Sequence, residues 1–188
     1  MATNLRIPVK NGISAPEAAY STRMGQCWNI NSLDGMGALA DGSVDLVVTS
    51  PPFALRRRKA YGNVEPADYA AWLWPYVEQI HRILHPKGSF VLELGGAWNR
   101  GSGTRSLYQY ELLLQLSRIF FLAQDFYWFN PSKLPTPAQW VTIRRTRVKD
   151  AVNLVWWLSK TTEPRADNRK VLRPYSPSMK RLLRDGYD

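Results

Sequence analysis

The sequence contains one cysteine and two histidines in 188 residues, and only 15 Asp+Glu against 25 Lys+Arg. Each scarcity excludes something. A single cysteine, Cys27, rules out an internal disulfide and a multi-cysteine zinc cage, and it fits a reducing compartment. His81 and His85 are spaced i, i+4 and could share a helical face. No Cys or third His accompanies them, so surface or capping roles are favoured over a metal pair and no metal site is expected. No apolar run approaches the roughly 20 residues that span a bilayer. The first 12 residues lack the continuous apolar stretch of a secretory leader, so a cytoplasmic protein without membrane contact is expected. The shortage of acid leaves a net charge of +10 and a pI near 9.9. Such a surface attracts polyanions, double-stranded DNA among them, because Lys and Arg on phosphates release condensed counterions. Charge alone assigns no function, so a site is needed.

The chain is also rich in core-forming residues, 45% hydrophobic and 12% aromatic, which supports one folded domain. Val44–Thr49 reads VDLVVT and lies between Asp41-Gly42 and Pro51-Pro52, the pattern of a buried central strand. Before it, Gln26 to Ile30 suggests a short strand and 32–40 a short helix, with Ser32 as its cap and Asp34 in the first turn. Residues 68–84 read as an amphipathic helix with Trp72, Tyr76, Ile80, Ile83 and Leu84 on its apolar face, interrupted by Pro75 and closed by Pro86 and Gly88. A second buried strand follows at 89–94 and a second helix at 104–120. Two aromatic-rich strands at 122–129 and 152–158 are expected to form an antiparallel edge unit around the proline-rich connection 131–137. The order predicts an α/β fold in which helices cover a parallel sheet and ligands sit beyond the carboxyl ends of the strands. Residues 1–24 read as an irregular arm and 161–188 as a linker or the start of a further segment, with helical periodicity confined to 179–183. Trp72, Trp74, Trp128, Trp140, Trp156 and Trp157 could stack on bases, but aromatics in strands and amphipathic helices are more often core.

The most informative residues are Ser50, Pro51, Pro52 and Phe53, directly after the VDLVVT strand. Two prolines fix φ and remove two backbone donors, which leaves rigid carbonyl acceptors between a hydroxyl and an aromatic face. Such a site suits a planar base. Ser-Pro-Pro-Phe after a hydrophobic strand resembles the catalytic motif of the amino-methyltransferases of DNA, in the form typical of cytosine-N4 enzymes. Segments 49–63 (TSPPFALRRRKAYGN), 125–140 (DFYWFNPSKLPTPAQW) and 147–160 (RVKDAVNLVWWLSK) resemble their counterparts in the PvuII-type cytosine-N4 DNA methyltransferases, and the similarity extends over most of 25–180.

The resemblance implies a three-layer, Rossmann-like methyltransferase sheet with antiparallel edge strands, of which residues 25–160 form the catalytic half. It implies transfer of a methyl group from S-adenosylmethionine to the N4 amine of a flipped cytosine. Phe53 would be the stacking face, and the Ser50 hydroxyl and Pro51 carbonyl would hold the amine. No covalent enzyme intermediate is required, so Cys27 is read as structural. An N6-adenine enzyme is the alternative, although those enzymes mostly carry Asp or Asn where Ser50 stands. Arg56, Arg57, Arg58 and Lys59 directly follow the motif. Arg144, Arg145 and Arg147 form a second cluster, and Lys133 is a further candidate; all would bind phosphates and set register on the duplex. Asn31 occupies a place where related enzymes tend to carry an acid near the cofactor's adenine.

Gly101-Ser102-Gly103-Thr104 resembles the family's cofactor loop in composition but lacks its lead-in. In the family's circular order the target-recognition segment and cofactor-binding half follow the catalytic half, so two central strands and a Phe-x-Gly-x-Gly loop are expected beyond residue 188. The sheet is therefore expected to be incomplete, with an apolar edge at Val44–Thr49. Three readings follow. The chain is a catalytic half completed by a second chain or further sequence, a non-catalytic DNA-binding remnant, or a minimal enzyme using the Gly101 loop for its cofactor.

Overall fold

The sequence stripe of one helix organises the structure, a computed structural model that describes residues 7–54 and 62–186. After a 3₁₀ turn at Pro66–Asp68, helix α2 (Tyr69–Ile83) buries Tyr69, Leu73, Val77, Ile80 and Ile83 along one face. The buried stripe thus runs one position away from Trp72 and Tyr76, which are half-buried at its border. Pro75 is tolerated inside the helix because it is exposed. Ala71, whose carbonyl Pro75 deprives of its helical donor, is an exposed residue as well.

Two short strands, β1 (Tyr20–Ser21) and β2 (Gln26–Cys27), form a small hairpin in the N-terminal arm, and helix α1 (Ser32–Ala38) follows. The cap of α1 is Asn31, whose side chain accepts from the Leu33 amide at 2.9 Å; Ser32 is already the first helical residue. Arg82 of α2 locks this unit to the body. Its guanidinium donates to the Leu39 carbonyl at 2.9 Å and the Met36 carbonyl at 2.6 Å, and it pairs with Asp41. Cys27 is a free, exposed cysteine on β2.

The main sheet contains β3 (Val44–Thr49), β4 (Leu84–Leu94), β5 (Phe121–Phe129) and β6 (Val152–Ser159) in the order β3-β4-β6-β5. β3 and β4 are parallel, while β6 is antiparallel to both β4 and β5. The antiparallel edge unit is as expected. The β4 strand, however, starts directly at the end of α2, so Pro86 and Gly88 fall within an irregular stretch of pairing between Val44 and Leu46 of β3. That places His85 in a strand. Its Nδ1 accepts from the Lys87 amide at 3.1 Å, whereas His81 remains on α2 against the Phe120 ring. The two histidines do not share a helical face.

Helices α2 and α3 (Tyr108–Leu116) cover the sheet face that bears Phe90, Leu92 and Leu94 of β4 with Trp156 and Leu158 of β6. α3 is shorter than the predicted 104–120 because 98–105 closes a loop through the Trp98–Arg105 bridge. The opposite face has no covering layer among the described residues. Leu46 and Val48 of β3 are 54% and 66% exposed, and Phe126 and Trp128 of β5 are also exposed. Val44–Thr49 is therefore not buried but an edge strand, paired on one side only. This is the apolar edge expected of an incomplete sheet, and its β-branched composition is that of a strand covered on both faces.

The C-terminal residues beyond β6 run through a 3₁₀ turn at Asn168–Lys170 to helix α4 (Pro177–Asp185), capped by Ser176. Among the described residues, no helix is long and apolar enough to cross a membrane.

Lys160, just past β6, closes α2. Its Nζ donates to the His81 carbonyl at 3.0 Å and the Leu84 carbonyl at 2.8 Å, placing a positive charge at the negative end of the helix dipole. Lys160→Met keeps the stem but removes the donors, and it should lower stability by about 1–3 kcal/mol in urea unfolding. An unchanged midpoint would show that water replaces the lysine without loss.

Candidate active site

β3 and β4 are parallel, and β5 runs parallel to both because β6 is antiparallel to β4 and to β5. The segments leaving β3, β4 and β5 therefore emerge at one end of the sheet. They comprise Ser50 to Ala54, residues 95–107 and residues 130–151. Sequence distance hides this convergence, and strand direction alone produces it.

Ser50, Pro51, Pro52 and Phe53 line a cavity of about 320 Å³. Ser50 is exposed and the next three residues are half-buried. Phe53 rests on Gly95, where a Cβ would come within 2.5 Å of its ring. The missing side chain at Gly95 is what admits the aromatic. A larger cleft of about 900 Å³ opens nearby between Glu65, Trp98, Arg100 and Glu111. Its two carboxylates make it a poor phosphate groove.

The strand-end carbonyls are held from below. Tyr69 of α2 donates its hydroxyl to the Pro52 carbonyl at 3.0 Å, and Gln109 of α3 donates Nε2 to the Leu94 carbonyl at 2.9 Å. Tyr108 of α3 donates to the Gly95 carbonyl and accepts from the Ala54 backbone N–H. Burial pushes both phenols well above their ordinary pKa, so they remain neutral donors. The sequence reading missed all three residues. The available signal was polar side chains on otherwise apolar helical stripes, since such groups are kept where they have a buried partner.

The other expected site residues are placed as follows. Arg56, Arg57, Arg58 and Lys59 lie outside the described residues. Arg144, Arg145 and Arg147 are exposed at the same sheet end as Ser50. They follow a π-helical turn at Gln139–Ile143, where Arg144 stacks over the Trp140 ring at 4.8 Å. Arg147 is partly engaged, with Nε donating to the Gly103 carbonyl at 3.0 Å. Lys133 also lies at that end but is half-buried, with Nζ 3.4 Å from Oδ1 of Asn153, whose own amide donates to Glu93 at 2.8 Å.

Asn31 uses its carboxamide oxygen to cap α1. The Gly101 to Thr104 loop is the tip of the 98–105 loop. Asn99 Nδ2 donates to Thr104 Oγ1 at 3.0 Å, and a Cβ at Gly103 would meet Trp140 at 3.1 Å. Only Gly103 packs against Trp140, Gly101 and Thr104 are exposed, and the loop opens no helix. The described residues thus shape a cavity at Ser50 to Phe53 beside the larger cleft. Among them, no three His, Cys, Asp or Glu side chains are placed to hold a metal ion. Of the tryptophans, Trp156 is core, while Trp128 is exposed on the open sheet face.

A mixed sheet with the Ser50 to Phe53 turn at the carboxyl end of a parallel strand is an arrangement also found in α/β methyltransferases. The sequence model of the DNA methylase family matches residues 44–186, and the chain belongs to that family. It is 49% identical over 169 residues to the type II methyltransferase M.PvuII of Proteus hauseri, covering 89% of this chain and 50% of that protein. The solved PvuII DNA methyltransferase, described as cytosine-N4-specific, superposes with a TM-score of 0.75 over 92% of this chain and 67% of its own, at 40% identity. The same fold is shared by a Thermus thermophilus protein, described as a DNA modification methylase and solved in complex with S-adenosyl-L-methionine. There the identity is 18% and the TM-score 0.51, with 74% of this chain and 55% of that one covered. The chain thus spans about half the length of its curated PvuII relative.

Gly95→Ala should drive the Phe53 ring from its seat and destabilise the protein by about 1–3 kcal/mol in urea unfolding, the range for overpacking a close contact. Phe53→Leu in the same background should recover part of that loss. Equal stability of wild type and Gly95→Ala would refute the packing.

Proposed function

We propose that this chain is the catalytic half of a site-specific DNA methyltransferase that modifies the N4 amine of cytosine. The observation that carries the reading is the Ser50-Pro51-Pro52-Phe53 turn, which lines a base-sized cavity where three strand ends converge. A flipped cytosine would stack on Phe53, at an unstacking cost of a few kcal/mol. The Ser50 hydroxyl oxygen and the Pro51 carbonyl oxygen can each accept a hydrogen bond, so together they can take the two amine protons. Hydrogen bonding both protons draws the nitrogen toward sp³ geometry and returns its lone pair from the ring, which makes N4 nucleophilic. Arg144, Arg145, Arg147, the cluster Arg56 to Lys59 and Lys133 hold the phosphates of the duplex in this reading.

S-adenosylmethionine supplies the methyl group, and the residues that grip it belong to a complementary segment, either further sequence of the same polypeptide or a second chain. The unpaired edge of β3 and the exposed Leu46 and Val48 support that division, because an apolar sheet edge is stable only when covered. The reading favours modification in a restriction system and a cytoplasmic location, where DNA is accessible. The N6-adenine alternative differs in the flipped base and in the product, and Ser50 speaks against it.

The test is to incubate the chain, joined to or mixed with the cofactor-binding segment of its PvuII relative, with duplex DNA and S-adenosylmethionine, and to identify the modified nucleoside by mass spectrometry. N4-methylcytosine is expected, N6-methyladenine would move the assignment to adenine, and no product would reject the transferase. Isothermal titration of S-adenosylmethionine into the chain alone should give no heat; micromolar binding would instead favour a minimal enzyme.

Ser50→Ala should abolish transfer while leaving salt-dependent DNA binding within about twofold, since the hydroxyl serves the amine and not the phosphates. Parallel loss of binding would refute that role. Val48→Lys should leave far-ultraviolet circular dichroism unchanged but reduce activity with the complementary segment at least about tenfold, by burying an unpaired charge in the joint. Full activity of that variant would place the joint elsewhere.

A further inference from the structure

Tyr69 and Tyr108 sit in the first turns of two different helices, and both are almost completely buried, at 0% and 3% exposure. Their rings meet edge to face with centroids 5.0 Å apart and an interplanar angle of 67°. Each hydroxyl leaves this pair toward a different strand end. Tyr69 reaches the Pro52 carbonyl at 3.0 Å. Tyr108 reaches the Gly95 carbonyl and also receives the Ala54 N–H. Between those anchor points lies Phe53, seated on Gly95.

Resting on the transferase reading above, we infer that the Tyr69–Tyr108 pair is a positioning device that sets the direction of the Pro51 carbonyl and the plane of the Phe53 ring. The geometry of proline makes this specific. The Pro52 ring fixes its own φ, so the peptide plane on one side of Pro52 is rigidly coupled to the plane on the other. Pinning the Pro52 carbonyl with Tyr69 fixes ψ as well, and the orientation of the preceding Pro51 carbonyl then has no remaining freedom at Pro52. Tyr108 fastens the next link, since Ala54 and Gly95 are tied to one oxygen and Phe53 cannot slide between them. Neither tyrosine opens onto the cavity lined by residues 50 to 53, so both act through the turn rather than on the base. Such preorganisation matters because acceptors must already point at the amine when it reacts.

The test uses Tyr69→Phe and Tyr108→Phe, which keep the ring packing and remove only the hydroxyls, in the joined enzyme described above. Transfer should fall about 10- to 100-fold in kcat, with KM for DNA and for S-adenosylmethionine within about twofold, the signature of lost alignment rather than lost binding. In the 188-residue chain itself, amide hydrogen exchange at Ala54 should speed up at least about tenfold in Tyr108→Phe, while Leu92 in the centre of β4 should not change. If kcat is unchanged although Ala54 exchanges faster, the tyrosines are structural and the positioning role is overturned. A loss of activity in proportion to the loss of folded protein, with kcat per folded molecule unchanged, overturns it as well. An inactive wild type would reject the transferase reading and the positioning role with it, a result distinct from an active wild type whose tyrosine variants are equally active.

Discussion

Backbone carbonyls that leave a sheet must find donors, and the arrangement around the Ser-Pro-Pro-Phe turn depends on meeting that requirement. Inside a strand each carbonyl is paired by its neighbour. Past Thr49 and Leu94 the ladder ends, and two prolines at 51 and 52 remove donors that the chain might have supplied itself. The deficit is met from the helices by Tyr69, Gln109 and Tyr108, which reach the carbonyls of Pro52, Leu94 and Gly95. Among the described residues, no buried side-chain polar atom is left without a partner. Helix packing and turn geometry are thereby linked, since the tyrosines that fill the core under the turn also hold it in place.

The same requirement shapes the far end of the sheet. Lys160 satisfies the last carbonyls of α2, and Arg82 satisfies those at the end of α1. Both are cations acting as helix caps in a chain with few Asp and Glu. Basic residues here are therefore not one population. Some, such as Lys160 and Arg82, are bound into the framework, whereas Arg144 and Arg145 remain exposed at the sheet end that carries the Ser50 to Phe53 turn.

The two faces of the sheet differ in the same physical terms. One carries α2 and α3 over Phe90, Leu92, Leu94, Trp156 and Leu158 and forms a dry core. The other carries Leu46, Val48, Phe126 and Trp128 without cover among the described residues. It is the face that the proposed complementary segment would cover. The chain spans about half the length of its PvuII relative.

Local composition determined much of this protein without the structure. The Val44–Thr49 strand, the α2 helix, the antiparallel unit of β5 and β6 and the Ser50 to Phe53 turn could all be read from periodicity, prolines and motif, because each depends on residues close in sequence. Tertiary structure decided what depends on distant partners. It moved the α2 stripe to Leu73 and Val77 and gave the cap of α1 to Asn31. It also packed Gly103 against Trp140 and placed His85 in a strand. Most of all it revealed Tyr69 and Tyr108, whose partners lie 17 and 13 residues away. No local pattern encodes a hydrogen bond between a helix and the end of a strand it packs beneath, because its geometry exists only once both elements are in place.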